Sequence, residues 1–334
     1  MRASIIIPAY NAASTIDLCL EAVLGQTAPA SSSEIIVVDD GSTDDTRARA
    51  SAFSSVRLLH IPHAGAAAAR NRGAKGATGE FLLFTDADCQ PAPDWIERML
   101  APFSDSSCAV AGAKGVYRTR QKEPVARFVQ LEYEEKYAKM SREETIDFID
   151  TYSAAYRRDV FLANRGFDES FPAASVEDQE FSFRLAKQGL ILKFAPGAVV
   201  YHHHVTSALA YAKRKFRIGC WKVHLHRRHP DKVWRDSHTP FTLKLQVGLL
   251  PVLAAELVLF PFIPLARWRF LASALAFCLT ALPLARLVIE RDRSLAPIVP
   301  ALLLLRAAAL AAGLAAGVAG ELGRTVAATR RRAA

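Results

Sequence analysis

Hydrophobic and polar positions divide the chain near residue 240. Ahead of it, short apolar runs alternate with stretches of helical period. Ser4–Pro8 reads as a buried strand ended by proline, and residues 14–25 predict a helix with Ile16, Leu20, Val23 and Leu24 on one face. Glu34–Asp39 is a second buried strand, Val56–Leu59 a weaker third, Ala66–Ala77 a helix and Glu80–Phe84 a fourth strand. Residues 112–172 mix short strands with helices; Glu177–Gln188 predicts a helix, Gly189 a turn, and a strand follows toward Val199-Val200-Tyr201. Strands alternating with helices predict an α/β fold with a mostly parallel sheet covered on both faces, whose ligands gather at the carboxyl ends of the strands.

Beyond residue 240 the pattern changes. Leu245–Leu265 holds 21 residues without Lys or Arg, although Pro251, Glu256, Pro261 and Pro264 interrupt it. Phe270–Ala285, extended by Leu287–Ile289, is a second apolar run, and Leu295–Gly320 a third, with Arg306 inside. A spanning helix takes about 20 apolar residues, so two or three spans are expected. The tail, with Arg324 and Arg330–Arg332, prefers the cytoplasm, which favours an even number of crossings, with 245–265 lying in or re-entering the membrane. Arg306 at a bilayer centre costs about 2.5–3.5 kcal/mol on insertion scales, which opposes the third span.

Charge sharpens this division. The net charge of +9 suits nucleic acid or anionic lipid, but the cations cluster before and among the apolar runs (Lys213, Arg214, Lys215, Arg217, Lys222, Arg227, Arg228). Leu209, Ala212, Phe216, Cys220 and Val223 recur between them at near-helical spacing, which predicts a basic amphipathic helix over 207–228 in the headgroup layer, or else a solvated basic face packed on the domain. No nucleic-acid motif accompanies the cations, so a nucleic-acid partner is not expected. The organisation expected is 1–206 catalytic, 207–240 interfacial helix and linker, 241–324 membrane region and 325–334 basic tail. Cys19, Cys89, Cys108, Cys220 and Cys278 form no CxxC pair, so neither a disulfide framework nor a zinc site is expected. Met1–Ser4 runs straight into Ile5–Ile7, too short for a signal-peptide core, so the catalytic part is expected in the cytoplasm, at the inner membrane.

Three polar clusters end strands on one edge: Pro8–Asn11, Asp39–Ser42 and Thr85–Asp88. Asp86 and Asp88, two apart beyond a strand, can hold a hard divalent cation and position a ribose, while leaving coordination sites for phosphate oxygens. Acidic pairs at loop starts are also common without any ligand. Asp39-Asp40-Gly41-Ser42 can hydrogen-bond a base or ribose, or turn the chain and cap the next helix. Arg70 and Arg72 offer forks suited to a diphosphate, or lie on the surface. Glu177-Asp178 opens a helix, either as its cap or as a base for an attacking hydroxyl. Alternation puts His202 and His204 on one face, where they ligate metal or border a wet loop.

Taken together, Pro8-Ala9-Tyr10-Asn11, Val37–Ser42, Ala69–Gly73, Phe84–Asp88, Gly166–Glu169 and Glu177-Asp178 resemble, in order and spacing, the family 2 glycosyltransferases of GT-A fold, over about residues 3–205. The resemblance implies a nucleotide-sugar donor bound by Pro8, Tyr10, Asn11, Asp39, Asp40, Arg70 and Asp86, with Asp40 and Arg70 at the base and Asp86 at the ribose. It implies a Mn2+ or Mg2+ ion held by Asp88 and His202, Asp178 as catalytic base of an inverting displacement with Glu177 beside it, and Gly166, Phe167, Asp168 and Glu169 bordering the acceptor pocket. Members often carry Gly-Gly before Phe-Asp-Glu; Arg165-Gly166 stands here. The Gln-x-x-Arg-Trp sequence of processive members is absent, the nearest element being Arg217–Trp221, so one sugar per acceptor visit is expected. A phosphate acceptor needs no general base, so Glu177-Asp178 favours a hydroxyl of a lipid-linked saccharide or glycolipid; a polyisoprenyl-phosphate glycosyltransferase is the alternative. No G-x-G-x-x-G follows the first strand and no P-loop occurs, which sets aside a dinucleotide-dependent oxidoreductase.

Overall fold

The computed structural model describes residues 1–104, 109–171 and 176–333, with side chains to residue 321. Cys108 and the side chains of Arg324 and Arg330–Arg332 lie outside the described residues. The chain forms two compact units: residues 1–121 with 137–203, and residues 122–136 with 204–334. The segment 122–136, expected within the catalytic domain, therefore clusters with the C-terminal helices. Its Glu132 pairs with Arg306 and Lys215 of that unit, which ties the segment there.

The first unit opens with β1 (Ala3–Ala9), α1 (Ile16–Leu24), β2 (Ser33–Asp40), α2 (Thr46–Ser51), β3 (Val56–Ile61), α3 (Ala66–Gly76) and β4 (Phe81–Phe84). These strands pair in parallel in the order β3-β2-β1-β4. β1 lies between β2 and β4 and is buried along its length, which explains its uninterrupted isoleucine run. The registers Ala9↔Asp39 and Ile6↔Phe84 bring the ends of β1, β2 and β4 to one edge.

The later elements are β5 (Cys89–Pro91), α4 (Trp95–Leu100), β6 (Val110–Arg118), α5 (Pro124–Met140), β7 (Ala154–Arg157), α6 (Arg158–Ala163), α7 (Glu177–Lys187) and β8 (Ile191–His202). They extend the sheet to β3-β2-β1-β4-β7-β6-β8-β5. β7 runs antiparallel to β4 and β6, and β5 antiparallel to β8, so the sheet is parallel in its first half and mixed in its second. One core cluster takes Ile5, Ile7, Leu20 and Trp95; another takes Ile6, Val38, Phe84, Phe167 and Phe181. Alternating residues of β1 thus feed opposite faces. α3 approaches the sheet closely because Gly73 has no side chain: a Cβ there would meet Ile6 Cγ2 at 2.5 Å.

The second unit contains α8 (Ala208–Arg228), α9 (Phe241–Leu259), α10 (Pro264–Arg291) and α11 (Val299–Ala333). α8 begins where Ser207 Oγ accepts a hydrogen bond from Ala210 N at 3.2 Å, an N-cap. It packs along α11 through glycines; a Cβ on Gly219 would lie 3.0 Å from Gly313 Cα. Its buried side therefore faces another helix, while Leu209 and Phe216 stay exposed. α9, α10 and the Val299–Glu321 part of α11 are each long and apolar enough to cross a membrane. Exposed Leu257, Val258, Phe262, Trp268, Leu271 and Leu275 present apolar surface suited to lipid. α11 continues through residue 324, where a separate tail was expected.

Arg306 is where the helical unit departs from a simple apolar bundle. It is buried, with Nη1 2.9 Å from Glu132 Oε1 of α5 and Nη2 2.8 Å from Gln246 Oε1 of α9. Lys215 of α8 approaches the other Glu132 oxygen at 3.1 Å. Burial alone would raise the Glu132 carboxyl, but Lys215 and Arg306 hold it down, to about 2. The expected lipid penalty of Arg306 is thus met by a carboxylate drawn from the chain between β6 and β7.

Candidate active site

The sheet edge opens into a cleft of about 570 Å³ lined by Pro8, Tyr10, Asn11, Asp40, His63, Arg70, Asp86 and Asp88, among others. The strand-end loops are stitched together by their own polar groups. Asn11 Oδ1 accepts from Thr43 N at 2.9 Å, and Asn11 N donates to Ser42 Oγ at 3.0 Å. Asn11 has φ +49°, a left-handed conformation that asparagine tolerates.

Asp40 accepts from Ala64 N at 2.8 Å and Gly65 N at 3.0 Å, which pins the loop entering α3 to the end of β2. His63, not singled out from the sequence, lies 3.0 Å from Asp40 and stacks on Tyr10 with ring centroids 4.1 Å apart. A lone histidine in a loop carries no signal by itself; only the stacking reveals it. Asp39, grouped with the nucleotide ligands by resemblance, is instead wholly buried. Its oxygens take Ser42 N at 3.1 Å and His60 Nδ1 at 2.8 Å, so it braces the turn and does not line the cleft.

Arg70 joins the two acidic regions. Nη2 lies 2.7 Å from Asp86 Oδ1 and Nη1 3.0 Å from Glu177 Oε1, residues 16 and 107 positions away in sequence. The guanidinium is buried, yet these carboxylates outweigh desolvation and hold its pKa above the usual arginine value. Arg72 is exposed. Asp178, one residue beyond Glu177, is not a cleft-lining residue but sits in the same first turn of α7. Burial and then the Glu177 charge push its carboxyl up to about 7, while Arg70 and Lys114 pull it down.

Asp88 projects outward, half exposed, and its Oδ2 lies 3.2 Å from His202 Nε2. The antiparallel register Cys89↔His202 produces this meeting. Burial would raise the Asp88 carboxyl, but the His202 hydrogen bond and charge bring it below the ordinary carboxylate range. His204 does not share this place; it is buried in the second unit, 3.2 Å from Gln130. Ligand atoms of Asp86, Asp88 and Cys89 lie within 4.8 Å of one another, a spacing that suits one cation. Burial keeps the Cys89 thiol protonated, so the oxygen and imidazole donors of Asp86, Asp88 and His202 better fit a hard divalent ion.

Gly166–Glu169 is held by Asn71, the neighbour of Arg70. Asn71 Oδ1 accepts from Phe167 N at 2.9 Å, and its Nδ2 donates to Phe167 O and Glu169 Oε1, each at 2.8 Å. Phe167 itself, expected to border an acceptor pocket, is buried among Phe84, Tyr156, Phe161 and Phe181, and Gly166 is buried too. Asp168 and Glu169 remain at least partly exposed. Arg165 and Gly166 have φ +61° and +63°, which explains a glycine pair at this turn in other chains.

An α/β sheet that gathers three polar strand ends at one cleft, two of them bearing carboxylates (Asp40; Asp86 and Asp88), has the layout of a GT-A sugar-transfer domain. Residues 4–163 match the family described as Glycosyl transferase family 2, and the domain belongs to that family. The chain is 30% identical over 239 residues to the pre-mycofactocin glycosyltransferase of Mycobacterium tuberculosis, covering 69% of this chain and 48% of that protein. It thus spans about half the length of that relative. It is 28% identical over 257 residues to glycosyltransferase AglE of Haloferax volcanii, covering 74% of this chain and 81% of that one. Among solved structures, the mannosyltransferase PcManGT from Pyrobaculum calidifontis, in complex with GDP-Man and Mn2+, shares the fold. Its TM-score is 0.60 at 23% identity, over 95% of this chain and 87% of that one.

Proposed function

We propose that this chain is an inverting, metal-dependent glycosyltransferase, moving a sugar from a nucleotide-sugar donor to a hydroxyl of a lipid-linked saccharide or glycolipid. The observation that carries the reading is the Arg70 bridge, which ties donor-side Asp86 to base-side Glu177 within one site. Asp40, Arg70, Tyr10 and His63 serve the nucleotide, Pro8 and Asn11 shape its edge, and Asp86 faces the ribose. Asp88 and His202 would hold Mn2+ or Mg2+, which would supply positive charge to offset that of a leaving diphosphate. Asp178, poised near neutrality, takes the proton of the acceptor hydroxyl as its oxygen bonds to the anomeric carbon; the bond from that carbon to phosphate breaks, and the nucleoside diphosphate leaves.

Asp168 and Glu169 stand on the acceptor side. Three long apolar helices and the basic α8 support anchorage to membrane lipid, with the catalytic unit at the cytoplasmic face of the inner membrane. A thermal-shift panel of UDP-, GDP- and dTDP-sugars, with and without manganese, tests the donor reading on the full chain in detergent. One nucleotide class should raise Tm in a manganese-dependent way, because a ligand that binds only the folded state stabilises it. No stabilisation by any of them overturns the proposal. Turnover on a phosphate acceptor but not a hydroxyl one would replace it with the polyisoprenyl-phosphate reaction.

A further inference from the structure

Lys114 of β6 has no exposed surface. Its ammonium pairs with Asp150, lies 3.2 Å from Tyr152 Oη, and sits 5.0–5.8 Å from the ring centroids of Tyr152, Phe148 and Tyr137. Burying a lysine this completely is costly unless its charge is answered, and Asp150 answers it.

The pair is built into a segment that touches α7. Thr151 N points at Asp178 Oδ2 from 3.4 Å. Ile149 N donates to Ser182 Oγ at 3.0 Å, and Ser182 Oγ donates to the Asp178 carbonyl at 2.7 Å. On its other side Tyr152 stacks on Tyr117 with centroids 3.3 Å apart, and Tyr117 stacks on His202 at 4.5 Å. Tyr137 Oη closes the frame, 2.7 Å from Tyr152 Oη and 2.8 Å from Tyr117 N. A continuous run of contacts therefore links the first turn of α7 to His202 and Asp88, with the Lys114–Asp150 pair between.

We propose that Lys114 is a positioning residue: its ion pair with Asp150 locks residues 149–152 and thereby sets Asp178 relative to the Asp88–His202 side. This rests on the reading of Asp178 as base. Asp178 is faced by Glu177 of its own helix, Arg70 of α3 and Lys114 of β6, so removing either partner of the pair changes its field with a defined sign.

The test uses the full chain in detergent micelles. Lys114→Met should lower kcat by about 10²-fold, the loss expected of a misplaced reacting group, while leaving the thermal shift by nucleoside diphosphate and manganese intact. It should also move the acid limb of the kcat profile up by about one pH unit, because a cation that favours the carboxylate is gone. Lys114→Arg keeps the cation and should restore the profile. Asp150→Asn leaves the ammonium unanswered and should move the limb the opposite way, which also serves if Lys114→Met fails to fold. A packing role alone moves the limb in neither variant, and an unmoved limb in Asp150→Asn overturns the inference. Full activity of Asp178→Asn would instead sink the base assignment, so the two failures read differently.

Discussion

Arg70 in the first unit and Arg306 in the second are 3% and 2% exposed, and each forms an ion pair with a buried glutamate, Glu177 at 3.0 Å and Glu132 at 2.9 Å. Their second partners differ. Arg70 reaches Asp86, which still opens to the cleft, whereas Arg306 reaches Gln246, also buried. Around Arg70 carboxylates outnumber cations, with Asp86, Asp88, Glu177 and Asp178 close by; around Glu132 the balance is reversed, with Lys215 and Arg306 on one carboxylate. The same pairing chemistry thus leaves an acidic opening suited to a cation and diphosphate in one unit, and closes on itself in the other.

The largest effect should come from Asp178→Asn, which removes the proposed base but leaves the Arg70 bridge. Transfer should fall by roughly 10²–10⁴-fold. The wild-type rate should rise as pH passes about 7, where the carboxyl loses its proton. Stability runs the other way. A raised folded pKa means the folded chain binds this proton more tightly, so its contribution is fully present below the ordinary carboxylate range and is lost as pH rises through about 7. Asp178→Asn should therefore raise Tm more at pH 8 than at pH 5. A Tm change independent of pH would count against the buried-carboxyl account.

Next in size is the contrast between the arginines. Arg306→Met strands Glu132 and should cost roughly 3–5 kcal/mol of stability, tempered by Lys215, with much of it restored by adding Glu132→Gln. Arg70→Met also strands a buried glutamate, Glu177, but its other partner Asp86 can rehydrate in the cleft, so it should cost somewhat less in unfolding while abolishing nucleotide-dependent thermal shifts. Equal stability losses in both variants, measured by thermal unfolding in detergent, would erase the distinction drawn between the units.

The smallest effect separates two histidines two residues apart. His202→Ala should raise the manganese concentration needed for half-maximal activity about tenfold or more, as removing metal-site partners does. His204→Ala, which loses Gln130 and the stack on Tyr133 (5.6 Å), should shift Tm slightly and leave the metal requirement alone. A changed manganese requirement in His204→Ala would contradict that assignment.

The strands β1, β2 and β4, helices α3 and α7, and the long apolar helices were legible in the sequence because each is written in local periodicity and punctuation. Three polar strand ends were legible for the same reason: parallel strands place their carboxyl ends on one edge. What is local in sequence, including which residue types carry chemistry, the chain announces by itself. Partnership it does not. That Arg70 bridges residues 16 and 107 positions away, that Arg306 is answered by Glu132, and that Asp39 faces inward while Asp40 reaches the cleft depend on packing between distant segments. The split between His202 and His204 followed the same logic, since alternation gives a face but not what the face meets. Tertiary structure decided these because a buried charge is tolerable only where a specific opposite group is held against it, and no periodicity encodes that group's address.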